Sequence, residues 1–285
     1  AEAGRLDTLN VAAAGAISLL RSIRTTGSQT YAGDAMLFGT LYDSLTGGID
    51  FDGDVELARD TLVRADSVRF GGRIDSSLLT LDPEGMLAGL IAAADVQAGG
   101  PLTDPIARGS SSHGDSTGAR VDDPTNEPFP SFLASLRVES PGLSEFAGAI
   151  GSRRVLMSLS SDAPGTAIVG GDITLAPGNA VEILDNASLS GDVTIDAARI
   201  LFGGSLDSLT PGLFALRTLG TETLTIRGDA GLLGALREID TTTIGETFLG
   251  GAVITRDHQR HGVLRFIGVP GDRLFRSETG DLLFT

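Results

Sequence analysis

The sequence predicts an all-β fold, a right-handed parallel β-helix of about a dozen coils with roughly 20 residues each. Three observations predict it. Short runs alternate apolar and polar residues, with Gly, Asn or Asp between them. Aromatics are only 5% of the chain while Gly supplies 39 of 285 residues, a composition of short strands and many turns. Finally, two motifs recur in the same order.

From the N-terminus, "AAAGAISLLRSI" (12–23) fits apolar coils or one short helix equally well. "IDFDGDVEL" (49–57) alternates without a break. Ile49, Phe51, Val55 and Leu57 point one way; Asp50, Asp52, Asp54 and Glu56 point the other. "PEGMLAGLIAAADV" (83–96) spaces Ala and Leu as a helix does, behind a Pro-Glu start, and reads as a helix or as further coils. Residues 99–130, rich in Pro, Gly, Ser and Asp, read as a long exposed polar loop. "AVEILDN" (180–186), "DVTIDAARILF" (192–202) and "ETLTIRG" (222–228) return to short strands. The expected organisation is coils over 1–98, an extruded loop or linker over 99–130, and coils over 131–285.

The repeats carry most of this reading. "LLRSIRTTGSQTYAGDAML" (19–37) matches "ALREIDTTTIGETFLGGAVI" (235–254). Arg21 pairs with Arg237, Ile23 with Ile239 and Thr25 with Thr241. After one inserted residue, Tyr31 pairs with Phe248 and Gly33 with Gly250. A third copy, "SLRVESPGLSEFAGAIG" (135–151), keeps Arg137, Val138, Phe146 and Gly148. "SVRFGGRIDSSL" (67–78) matches "RILFGGSLDSLT" (199–210) through Phe70 and Phe202, then Asp75 and Asp207. Coils of a parallel β-helix stack about 4.8 Å apart, so equivalent residues lie above one another. Each coil buries its apolar side only against its neighbours. Tyr31, Phe146 and Phe248 are therefore expected to point inward at equivalent positions, as are Phe70 and Phe202. Gly33, Gly148 and Gly250 are expected at corners.

"TTGSQTYAG", "FLASLRVESPGLSEFAGAIG" and "VRFGGRID" resemble the repeats of large bacterial exoproteins of the filamentous-haemagglutinin type. That resemblance implies a long right-handed parallel β-helix, exported by two-partner secretion or as an autotransporter passenger, and used in adhesion. It covers most of the chain outside 99–130 and 253–280. The family's secretion domain and its Asn-Pro motifs have no counterpart here.

Charge and composition narrow the chemistry. A net charge of −16 disfavours nucleic acid and anionic lipid. All 21 basic residues are Arg, which removes lysine Schiff bases and the phosphate-loop lysine. There is no Cys, hence no disulfide or thiolate site. No apolar run is long enough to span a membrane. Asp50, Asp52 and Asp54 are the candidate metal ligands, for calcium, set against a plain solvated carboxylate face. The spacing is not that of an EF-hand, and alternate strand residues lie about 6.8 Å apart. "RDHQRHG" (256–262) offers His258 and His261, read as a polar surface loop unless a helix brings them together. "SSSHGDS" (110–116) sets Ser, His and Asp side by side, whereas a triad converges from a rigid scaffold. Asp122-Asp123 and His261-Gly262 resemble fragments of a pectin-hydrolase pattern whose other elements are missing. Thr221, Thr223 and Thr225 alternate on one strand but do not recur in other coils, as an ice-binding array requires.

The reading is a non-enzymatic structural or adhesive rod, secreted or on a bacterial cell surface, with no catalytic residues and no cofactor beyond the calcium candidate. The alternatives are a carbohydrate-active β-helix lyase or hydrolase, or a calcium- or sugar-binding module. Joining "GDLLFT" to "AEAGRLDTLNV" gives a stretch that resembles an uninterrupted unit of the filamentous-haemagglutinin-type family, as expected either of a piece cut from a longer array or of chains that stack head to tail. The expected partners are accordingly other copies end to end, together with cell-surface glycans or proteins.

Overall fold

The computed structural model describes residues 6–77, 133–162, 164–268 and 273–285. Every regular element among them is a short strand, and every strand pairing is parallel. The chain visits three faces in fixed order. Leu9–Ala12 lies on face I, Ile17–Leu19 on face II and Ile23–Thr25 on face III, and the next coil begins at Gln29–Ala32 on face I. Face III is one sheet of 10 strands. Face I is an 8-stranded sheet, continued through Ala230 into a 2-stranded one. Face II joins 4 and 6 strands through Ile150. The product is a β-solenoid of about ten turns.

The described residues thus supply about ten turns, against about a dozen expected for the whole chain. Residues 78–132 lie outside the described solenoid, and several coils exceed 20 residues: Phe146 registers with Val169, 23 positions on. The segment 12–23, open to a helical reading, forms the end of one strand and two more. The helix-or-coil segment 83–96 and the loop 99–130 lie outside the described residues.

Alternation does the folding. Ile49, Phe51, Val55 and Leu57 are all buried at 1% exposure or less, with the acidic residues between them outside. On face I the inward column runs Val11, Tyr31, Phe51, Phe70, Phe146, Val169 and Leu189. Its rings stack: Tyr31 on Phe51 at 4.9 Å, Phe51 on Phe70 at 5.2 Å, and Phe70 on Phe146 at 5.8 Å, all within 11° of parallel. Each fully buried ring or aliphatic chain contributes about 1.5–3 kcal/mol of apolar burial. At the corner after this column, Gly33, Gly53, Gly72 and Gly148 lie one above another. A Cβ on Gly53 would sit 2.5 Å from the Gly33 carbonyl carbon, so the coils close only over glycine. Gly33 also takes a positive φ of 137°.

Two expected equivalences fail. Phe70 is on face I, but Phe202 is on face III, between Ile183 and Ile226. Phe248 is also on face III, half-buried and facing outward, while Thr247 and Leu249 point in. The copy 235–254 is displaced by one face, and its one inserted residue inverts which side chains face the core. Gly250 does sit at a corner, but at the one between faces III and I.

Candidate functional site

On each face one inward column ends in a phenylalanine. On face III, Ile183, Phe202, Ile226 and Leu249 lead to Phe266. On face I, Leu206, Ala230 and Val253 lead to Phe275. On face II, Thr241 and His261 lead to Phe284. The rings converge: Phe266 and Phe275 are 5.9 Å apart, Phe275 and Phe284 5.6 Å, both edge to face. No coil among the described residues covers them, so Phe266 and Phe284 stay 55% and 51% exposed. Leu282, in register with the inward Gln259, is exposed on the same end. Leu264–Phe266, Phe275–Ser277 and Leu282–Phe284 each pair on one side only, leaving a row of backbone N–H and C=O groups open. An apolar triangle rimmed by three free strand edges is a surface shaped for another coil.

Beneath it lies His261, fully buried and stacked on Phe284 at 5.7 Å. Its Nδ1 is 3.1 Å from Thr241 Oγ1, and its Nε2 has no partner among the described residues. Burial pushes its pKa down to about 4, against a smaller opposing pull from Asp240. The expected polar loop at 256–262 is thus in part a strand, Gln259–His261, that turns two polar side chains into the core. His258 points elsewhere, its Nδ1 accepting a 3.0 Å bond from Asp281 N–H.

A groove runs along face II toward this end. Thr194, Arg217, Asp240, Arg260 and Leu283 stack outward in register. Arg237 pairs with Asp192 at 2.8 Å and Arg260 with Glu238 at 3.0 Å. Arg217 lines the same groove with no carboxylate partner among the described residues.

The three candidate calcium ligands have arginine partners from the next coil. Arg69 Nη1 reaches Asp52 Oδ1 at 2.7 Å and Asp50 Oδ1 at 3.0 Å. Arg73 pairs with Asp54 through its guanidinium and its backbone N–H, holding that carboxyl below its ordinary range. Among the described residues no three His, Asp or Glu side chains converge in a way that holds a metal. The Ser-His-Asp run at 110–116 and Asp122-Asp123 lie outside the described residues. Sequence reasoning passed over the phenylalanine triangle. Its signal was the equal spacing of Phe266, Phe275 and Phe284, one per face.

The geometry defines a class, the parallel β-solenoids. No protein-family model, curated protein or solved structure matches the chain.

Proposed function

We propose that this chain is a structural rod segment, secreted or on a bacterial cell surface, whose coils stack end to end with those of a second copy. One observation carries it: the exposed Phe266–Phe275–Phe284 triangle with its free strand edges. Parallel edges meeting in this way do not close on themselves, and they build a filament. An adhesive role follows the resemblance of the repeats to filamentous-haemagglutinin-type exoproteins. Light scattering of the purified chain at rising concentration, with electron microscopy, should find end-joined rods. Phe266→Asp should leave single rods with little change in melting temperature. A wild-type chain that stays monomeric at high concentration would overturn the reading.

The groove on face II favours a second reading, an acidic-sugar-binding surface along the rod, because Arg217 is exposed, with no carboxylate partner among the described residues, beside further arginines. Titration with acidic and neutral oligosaccharides separates the two: Arg217→Ala should abolish a binding response and leave rod assembly untouched.

A further inference from the structure

His261 places a titratable group directly beneath the joining end. It lies on Gln259–His261, one strand below the last strand of face II, and is 0% exposed. Two rings of the exposed triangle rest on it. Phe284 stacks at 5.7 Å, and Phe275 meets it edge to face at 5.9 Å. Phe266 packs on Phe275 in turn, so the imidazole and the three phenyl rings form one cluster.

The cluster accommodates a neutral imidazole and has no place for a charged one. Nδ1 meets Thr241 Oγ1, and Nε2 has no partner among the described residues. A proton makes both nitrogens donors, which leaves Nε2–H without an acceptor. No counter-charge waits inside. From residue 241 onward the other buried polar side chains described are Thr241, Thr247, Thr255 and Gln259, all uncharged. Charged groups on the surrounding strands turn outward and are engaged there. Arg260 Nη1 lies 3.0 Å from Glu238 Oε1 and 4.0 Å from Asp240 Oδ2. Arg265 holds Glu246 at 2.7 Å, and Arg276 holds Glu278 at 2.8 Å. Val253–Thr255 and Leu282–Phe284 carry no charged residue. Asp281, just before the latter, is exposed, and its backbone N–H donates to His258, the other imidazole at this end. Burial therefore outweighs the pull of Asp240 on the His261 pKa.

We infer that His261 makes end-to-end joining acid-sensitive: this end accepts a second copy while the imidazole is neutral, and releases it when the ring takes a proton. The inference rests on the joining reading above. The proton enters as the terminal coil opens, and opening costs least at the ends of a solenoid. In the opened coil the ring titrates near its ordinary 6.5, whereas the closed coil refuses the proton down to about 4. A second copy packs on Phe266, Phe275 and Phe284 where the closed coil puts them, so it binds the closed end. Proton and copy compete. Joining is at full strength above about pH 6.5 and weakens as pH falls toward 4.

The test is a light-scattering concentration series on the full chain at about pH 7.5 and about pH 5. Both lie above the pI of about 4.4, so the chain stays net negative and does not clump for lack of charge. Phe266→Asp, single at both, supplies the baseline. The concentration that joins half the ends should rise several-fold at the lower pH, and one proton caps the rise at about tenfold per pH unit. His261→Phe should join equally at both values. His261→Gln, smaller and equally unable to titrate, should do the same and answers the question if the phenyl ring disturbs the coil. His258→Gln should keep the wild-type loss. A wild-type chain that joins alike at both values overturns this inference and leaves the joining reading standing, as does an undiminished loss in both His261 variants. A chain that stays single at about pH 7.5 removes the joining reading and this inference with it.

Discussion

Tyr31 and Phe248 hold matching places in the sequence repeat and opposite places in the fold. Near the N-terminal end, Tyr31 points inward and its hydroxyl donates to Gln29 Oε1 at 2.8 Å. Gln29 Nε2 donates onward to Asp43 O at 3.0 Å and to Thr25 Oγ1 at 3.2 Å. Tyr42 donates to Leu19 O and accepts from Gly39 N–H. The polar side chains inside this end satisfy one another. Near the C-terminal end a second Gln-x-aromatic pair, Gln259 and His261, also points inward. There Gln259 Oε1, His261 Nε2 and Thr247 Oγ1 are buried and have no partner among the described residues. The two ends share a solenoid pitch and differ in polar closure. Stacking alone therefore does not decide local stability; the hydrogen-bond accounting inside the coil does.

The largest expected effect belongs to the closed end. Phe51 is fully buried between Tyr31 and Phe70. Phe51→Ala should cost about 3–5 kcal/mol in denaturant unfolding, because the coils above and below cannot collapse into the gap. A loss under about 1 kcal/mol would mean the aromatic column is not a packed stack.

Next comes acid. The His261 pKa near 4 lies below the ordinary 6.5, so the folded chain holds the ring neutral. Between those values the unfolded chain takes up a proton that the folded chain refuses. Stability from this group is complete above about pH 6.5 and falls as pH drops toward 4, by about 3 kcal/mol in all. Hydrogen exchange should show the C-terminal coils opening first. The N-terminal end should not respond in this range, since burial raises the pKa values of Tyr31 and Tyr42, the latter to about 12. His261→Phe should flatten the response.

The polar interiors predict a difference of sign. Gln29→Leu strips Tyr31 Oη and the Asp43 carbonyl of a partner, and should cost about 1–3 kcal/mol. Thr247→Val removes a hydroxyl that has no partner, and should be neutral or stabilise by up to about 1 kcal/mol. Equal losses at both sites would show that the ends do not differ in closure.

These contrasts mark what was legible. Ile49 through Leu57 declare a half-buried strand pair because alternation is a property of single residues. The repeat declares a solenoid because stacked coils want like residues at like places. Which face a segment occupies is not written in it. A strand with its corner spans only about a third of a coil, so "FGG" closes the corner after face I at Gly72 and the corner after face III at Gly204 equally well. The polar interior was also hidden: Gln259 and His261 read as surface because inward polar residues break the apolar alternation that identifies a strand.

Phe248 gives the smallest effect. It faces out from Glu246–Leu249, between Thr225 on one side and Arg265 on the other. Arg265 is already engaged with Glu246 at 2.7 Å. Truncating the ring opens no core cavity, so Phe248→Ala should cost less than about 1 kcal/mol, the ordinary range for a surface change. The repeat alone, pairing it with Tyr31, requires several times that. Leu249→Ala beside it, fully buried between Ile226 and Phe266, should cost about 2–5 kcal/mol. If the two losses are reversed, the inserted residue does not invert the strand, and this copy of the repeat is in phase with the first.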